Sequence, residues 1–401
     1  MPMNSLNRKG YSMVKQLAFV LINPYTIRKS RTGGVIARYL VRTDLKLAAA
    51  RMFGASQELV DEMAAYLVDA HPEGSETGNL LADYVRRAYA PDPHTVRTHR
   101  CICLLFEGED AIRKIYSVTG DIRQCWGSGQ SLRDTYGDFV CNELTGNVVY
   151  FEPAVIVGPI EDNCRDILRI WLKHTRNSSC IVRGAADLLD CEGVEQTLVL
   201  LKPDNFRQPS LRAGNIMDLL SSSGLRIVAL KKLAMSVAQA TAFYNPVCET
   251  LAKIFPTIAR DRAAQALSRE FGLPVDAAML EPLCVQLAPL YARREFENIV
   301  EFMTGRRPAN CSDAEKLASG LEECLAIVYE GLDAVKKIRD ILGPTDPSKA
   351  RPGSIRREFG TNIMVNAAHA SDSVENASRE MSIINMTNDI MFEELIQKYY
   401  P

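Results

Sequence analysis

The residues best equipped for chemistry lie near the end of the chain, between Arg351 and Glu380. Pro352 and Gly353 make a turn, and Arg356 and Arg357 follow as adjacent cations. Asn366 and His369 end an extended, moderately apolar segment. Ser371, Asp372 and Ser373 then offer N-cap side chains, with Glu375 three residues after Asp372 in the spacing of a capping box. His369 is therefore expected just ahead of a helix start, where free backbone N–H groups and the positive end of the dipole attract anions. An imidazole, nearby arginines and a helix N-terminus together describe a phosphate site with a nucleophile in it. The other histidines, His71, His94, His99 and His174, have no comparable surroundings.

The rest of the chain must position that segment. Its 401 residues are enough for two or three domains, and 47% hydrophobic with 24% charged residues is the balance of a soluble globular protein. A formal net charge of −2 gives no reason to expect nucleic acid or a membrane surface as a partner. Eleven scattered cysteines, with no C-x-x-C pair, suit reduced thiols and a cytoplasmic setting better than a disulfide framework or a zinc site. Arg8 and Lys9 ahead of an apolar run superficially suggest a leader, but that run is short and is closed by Asn23 and Pro24, so a strand is expected. No apolar stretch approaches the ~20 residues that span a bilayer.

Strands are expected at residues 17–22, 45–52, 101–106 and 147–151, and helices at 33–40, 57–67, 109–116 and 162–174. The segment holding His71, Pro72, Gly74 and Gly78 reads as a loop, residues 120–137 as turn-rich, and residues 177–179 as a linker. A similar order then begins again. LVLLKP at 198–203 matches FVLINP at 19–24, AGNI at 213–216 matches GGVI at 33–36, and VYEGLDAVKKI at 328–338 matches LFEGEDAIRKI at 105–115. Ser354, Arg356 and Gly360 likewise find Ser131, Arg133 and Gly137. Matches in one order imply two copies of one domain, residues 1–185 and 186–401. The second carries extra chain at about 247–292, with helical patterns at 259–271 and 277–291, and at about 306–322. The copies differ where chemistry would be: Asn23 stands opposite Lys202, Tyr116 opposite Arg339, and only Arg133 survives opposite Arg356.

The run NAAHASDSVE at 366–375 resembles the active-site signature of nucleoside diphosphate kinases, N-x-x-H-G-S-D-S-x-E, with Ala370 in place of the usual glycine. LKPD at 201–204, GPTDP at 343–347 and PGSIR at 352–356 are similar to further motifs of that family. The resemblance covers most of residues 195–401 and, faintly, 15–160. It implies an α/β (α+β) chain of two ferredoxin-like domains, each an antiparallel sheet with helices, the first degenerate. It also implies ping-pong transfer of a γ-phosphate between nucleoside tri- and diphosphates, with His369 as nucleophile and Glu380 holding the other ring nitrogen. Lys202, Arg339 and Arg356 would supply charge to the phosphates, with Thr345 and Asn366 as neutral partners. Phe296 would stack on the base and Tyr244 would line the site. Mg²⁺ would arrive on the nucleotide, with Asp372 reaching it through water.

The fused first copy is expected to dock on the second as an intrachain pseudo-dimer, with a further homo-oligomer open, and to bind no nucleotide in the kinase mode. Two rival readings remain: a non-catalytic nucleotide-binding scaffold, and a phosphohistidine donor to protein partners. A G-x-x-x-x-G-K-[ST] phosphate loop, an H-E-x-x-H helix and a G-x-S-x-G elbow are absent, and Gly127 with Gly129 lacks the third glycine of a dinucleotide fingerprint.

Overall fold

Continuous apolar runs become buried strands. In the computed structural model, which describes residues 15–70, 75–122, 129–176, 178–187 and 191–401, the first of them, β1 (Lys15–Ile22), is fully enclosed from Leu17 onward. It is followed by β2 (Lys46–Gly54), β3 (Arg100–Glu109), β4 (Asp138–Cys141), β5 (Val148–Glu152) and β6 (Val155–Val157). The second half supplies β7 (Val194–Leu201), β8 (Arg226–Leu233), β9 (Cys324–Leu332) and β10 (Ala368–Ala370). Eight of these strands form one sheet in the order β10-β7-β9-β8-β2-β3-β1-β6, and every pairing in it is antiparallel. β4 and β5 form a separate ribbon.

The order repeats about the middle of the sheet. Numbered within each half, both quartets run 4-1-3-2, the order of a ferredoxin-like β-α-β-β-α-β unit. Agreement extends to fine detail. β2 carries an irregularity between Leu47 and Ala49, and β8 carries one between Ile227 and Ala229. Asp110 and Asp333 both adopt positive φ (57° and 53°) immediately before a helix, and Ala154 and Ala367 do so (61° and 70°) immediately before the last strand.

The two quartets meet at one bridge, Arg51 of β2 opposite Lys231 of β8. Above it the Thr32–Arg42 and Arg212–Ser221 helices cross at Gly33 and Gly214, where a Cβ on either glycine would run into the other's carbonyl oxygen. Only glycine lets two helix backbones approach so closely. The C-terminal Ile390–Tyr399 helix then reaches back onto the first half. Phe392 packs edge-on to Phe53 at 5.5 Å, and Tyr400 donates its hydroxyl to the carbonyl of Leu17 (2.6 Å).

Two expectations need correction. The segment around Gly78 is helical, Ser75–Ala88, because Thr77, Leu81, Tyr84 and Val85 fall on one face and are buried there; His71, Pro72 and Gly74 lie outside the described residues. The extra chain of the second half is helical, as its patterns at 259–271 and 277–291 imply. It lengthens a helical hairpin that both halves place between their second and third strands: Gln57–Ala70 with Ser75–Ala88 in the first, Val237–Phe271 with Glu281–Thr304 in the second. Phe255 and Tyr291 stack at 4.3 Å within the added length, and Arg260 reaches Glu281 (3.2 Å). The second stretch of extra chain, which reads from sequence as a loop from Arg306 to Gly320, contains a helical turn, Asp313–Leu317, capped by Ser312. Arg8, Lys9, Asn177 and Gly127 lie outside the described residues.

Because the helix crossing has no room for a side chain, Gly214→Val should destabilise the chain by about 1–3 kcal/mol. Thermal unfolding measures it; an unchanged midpoint would show that the crossing yields freely.

Candidate active site

His369 sits at the centre of β10, paired with Leu200 of β7 in the outermost position of the sheet. It precedes the Val374–Ile383 helix by five residues, and the cap is Ser373, whose hydroxyl accepts from the N–H of Asn376 (3.1 Å). Asp372, the residue expected to cap, is exposed and instead accepts from the Asn376 side chain (2.6 Å). That helix carries Glu380 back beneath the imidazole. His369 Nε2 and Glu380 Oε2 are 2.9 Å apart, and Ser371 Oγ donates to the same oxygen at 2.6 Å. A carboxylate only accepts, so Nε2 carries the proton and Nδ1 keeps its lone pair. Glu380 is almost fully buried while the His369 side chain stays 23% exposed, which leaves the ring accessible on one side only.

The walls come from the start of the Val237–Phe271 helix. Phe243 meets the imidazole edge-on at 5.0 Å and Tyr244 at 5.9 Å, both buried, and the Tyr244 hydroxyl has no hydrogen-bond partner. Arg379 ties this helix to the site: it donates to the carbonyls of Ala242 (3.1 Å) and Phe243 (3.3 Å) and lies 3.5 Å from Glu380 Oε1.

Cations gather with few acids among them. Lys202 follows the last residue of β7 and is buried, its Nζ donating to Asn366 Oδ1 (2.6 Å) and the carbonyl of Met364 (3.0 Å). Burial, with Arg356 nearby, pushes its ammonium down to about 8. Arg356 is itself pushed down to about 10 by burial and by Arg339. Asn366 donates to the carbonyls of Thr345 (3.1 Å) and Ile363 (2.9 Å), so its amide spans the lysine and the turn after Gly343. Arg339 is exposed and has no carboxylate partner among the described residues. Like charges crowded together and partly desolvated are stable when an anion completes the site.

Arg356 has a second task. Its Nη1 donates to the carbonyl of Gly343 (2.8 Å) and its Nη2 to that of Ala368 (3.1 Å). Arg133 makes the same clasp in the first half, to Gly120 (2.5 Å) and Val155 (3.4 Å). Its survival there is accounted for by backbone bracing, without any phosphate. Phe296 is partly buried on the Glu281–Thr304 helix and packs against the core, and the Thr345 side chain is exposed beside the site. Ser371, Phe243 and Arg379 were not singled out from sequence. Ser371 had a signal, a hydroxyl two residues after the histidine, but it was read only as a cap.

The first half shows the same ground without the chemistry. Register puts Ile156, opposite Leu21 of β1, where His369 stands opposite Leu200. Asn23, in the place of Lys202, donates to Glu152 Oε1 (3.1 Å) and accepts from the Tyr89 hydroxyl (2.6 Å). Tyr84 closes the buried network onto Glu152 at 2.7 Å. An ammonium is replaced by a neutral amide beside an internal carboxylate.

Comparison with known proteins agrees with this division. A family model described as nucleoside diphosphate kinase matches residues 195–258 and 292–390, leaving out the first half and the middle of the long hairpin. The nucleoside diphosphate kinase of Helicobacter pylori (strain P12) is 31% identical over 196 residues, 49% of this chain and 98% of that protein. That of Wolinella succinogenes is 32% identical over 189 residues, 47% of this chain and 93% of the relative. A solved structure of the Aquifex aeolicus nucleoside diphosphate kinase is 30% identical and covers 48% of this chain and 94% of its own, with a TM-score of 0.30. With a relative covered almost end to end at this identity, the chain belongs to the nucleoside diphosphate kinase family.

Proposed function

We propose that the chain transfers the γ-phosphate of a nucleoside triphosphate to a nucleoside diphosphate through a phosphohistidine at His369. The observation that carries this reading is the Glu380 contact, which fixes the proton on Nε2 and leaves Nδ1 as the nucleophile. In the first half-reaction Nδ1 attacks the γ-phosphorus, a P–N bond forms, and the bridging P–O bond breaks to release the diphosphate. In the second, a terminal oxygen of another nucleoside diphosphate attacks the same phosphorus and the P–N bond breaks. Charge stabilisation is the main demand on the protein in such a transfer. Lys202, Arg339 and Arg356 supply it, Asn366 and Thr345 border the phosphates, and Phe296 and Tyr244 offer rings to the nucleoside. Glu380 acts through His369, holding its tautomer and orientation.

No three metal-ligating side chains converge among the described residues, and near the site Asp372 offers one exposed carboxylate. That donor set suits Mg²⁺ held by the substrate's phosphates and water, with at most one protein contact through water from Asp372. Residues 1–185 and 186–401 form an intrachain pseudo-dimer in this reading, with the first half non-catalytic: Ile156 cannot accept a phosphoryl group, and the Asn23–Glu152–Tyr84 network occupies the anion's place. Free cysteines, most of them buried, support a cytoplasmic setting. No helix among the described residues is long and apolar enough to cross a membrane.

Incubation with γ-labelled ATP should give an acid-labile, alkali-stable phosphoenzyme that GDP discharges, and His369→Ala should abolish both events. Exchange at the wild-type rate in that variant would remove His369 as nucleophile. Arg339→Ala should slow phosphorylation by about 10²-fold or more, with folding intact because the side chain is exposed. Glu380→Gln should lower turnover more than nucleotide affinity. Nucleotide affinity should fall as pH rises above about 8, by up to about tenfold per pH unit, because the bound anion needs Lys202 protonated. Lys202→Met should bind weakly at every pH and lack this slope; a slope retained in the variant would assign it to another group.

A further inference from the structure

One departure from the symmetry of the halves lies outside the residues assigned to the kinase site. In the second half Arg207, six residues beyond the end of β7, donates Nε to both oxygens of Glu322 at 3.2 and 3.3 Å. Glu322 lies two residues before Cys324, and Leu325 pairs with Leu201. In the first half Arg28 lies six residues beyond the end of β1, and Ile102 pairs with Ile22, which puts His99 where Glu322 stands. The carboxylate that would neutralise the arginine has become an imidazole. Arg28 has no carboxylate partner among the described residues, and its guanidinium lies over the Tyr25 ring, 5.4 Å from the centroid.

These residues line an open cleft of about 330 Å³, with Arg87, Tyr84, Tyr150, Arg100, Glu152 and Asp187 also in its wall. Both acids are already engaged. Asp187 is paired with Arg100, Nε to Oδ1 at 3.0 Å, and Glu152 accepts from Asn23, Tyr84 and the N–H of Ala154. Arg87 gives one N–H to the carbonyl of Phe151 (2.9 Å) and lies 5.8 Å from the Tyr84 centroid. Arg28, Arg87 and His99 thus face a cavity whose two acids are hydrogen-bonded to other groups, with Asp187 and Asp92 acting on His99 only through their charge. Burial, together with Arg28, holds the His99 imidazole below its usual value, although Asp187 opposes this. An anion entering the cleft would relieve that crowding.

We propose that this cleft of the first half binds a phosphate monoester bearing a flat ring. The phosphate lies among Arg28, Arg87 and His99, and the ring lies against Tyr25 and Tyr150. Guanidinium forks match phosphate oxygens, tyrosine faces accept planar rings, and the volume suits a small ligand. The site goes beyond the phosphotransfer assigned to His369 and makes the non-catalytic half a sensor of a second small molecule.

The test is calorimetric titration of the full chain with AMP, without divalent cations, in a Lys202→Met/Arg339→Ala background that disables the kinase pocket. One equivalent of AMP should still bind. Adding Arg28→Gln or His99→Glu, the latter rebuilding the ion pair of the other half, should weaken that binding at least tenfold. The same two substitutions in an otherwise wild-type chain should leave phosphoryl exchange and the thermal midpoint unchanged. No AMP binding in the disabled background, or binding that neither substitution moves, overturns the proposal. Inorganic phosphate is the second probe: weaker binding than AMP supports the ring contact, and equal binding overturns it. Phosphoryl exchange is read separately, so failure here leaves the assignment of His369 standing or falling on its own experiment.

Discussion

Two buried cations facing each other across the middle of a sheet set the terms for the whole molecule. Arg51 and Lys231 are bridge partners, and neither can reach bulk water. Their charge is answered from outside the sheet. Arg51 donates to the carbonyl of Ser178 (2.6 Å) and lies 3.6 Å from Glu393, while Lys231 donates to the carbonyls of Asn385 (2.9 Å) and Asn388 (2.5 Å). A charge removed from water is tolerated only when hydrogen bonds and counter-charges replace its hydration. The segment that joins the halves and the segment that ends the chain are therefore both bound to this bridge. Asp389, buried between them and pushed up to about 6 by burial, completes the arrangement. Joining β2 to β8 also removes two exposed strand edges, the usual sites of unwanted pairing.

The second half uses the same economy of elements. β10 is three residues long, yet it holds His369 because β7 braces it on one side and the Arg356 clasp on the other. The hairpin that lines the ring with Phe243 and Tyr244 is anchored by Arg379, adjacent to the glutamate that orients the imidazole. Bracing and chemistry share residues, so the arginine at this position persists in a half that has lost its nucleophile.

Much of this was legible in the chain. Runs such as residues 17–22 and 198–201 could only be strands buried on both faces, and the order of matches between halves was visible from them. The histidine stood out by its neighbours, whereas its carboxylate and the lysine were placed only by the resemblance to a known family. What escaped has physical reasons. Gly78 and its polar neighbours masked a helix whose buried face, Thr77, Leu81, Tyr84 and Val85, is interrupted by Asp83, Arg86 and Arg87. Asp372 and Ser373 are both good caps, and the backbone decided in favour of the second. Arg133 looked like a remnant of phosphate binding, since no sequence pattern distinguishes a guanidinium that holds carbonyls from one that holds phosphate. The insertion was legible because it interrupts a motif, but that it lengthens a hairpin shared by both halves was not.

The anchoring of the final helix to β1 and β2 has a consequence for synthesis. The first half emerges from the ribosome complete in sequence but incomplete in structure. Its Arg51 waits for Glu393, and its β1 backbone waits for Tyr400. Contacts nearly four hundred residues apart close last and slowly. During elongation the nascent first half therefore carries an open β2 edge, and an Arg51 held only by the Thr175 and Ser178 carbonyls, for the whole time that the second half is being made. A chain cut before residue 389 would be released with Glu393 and Tyr400 missing from their places on the first half, and quality control would meet it as an incompletely packed intermediate.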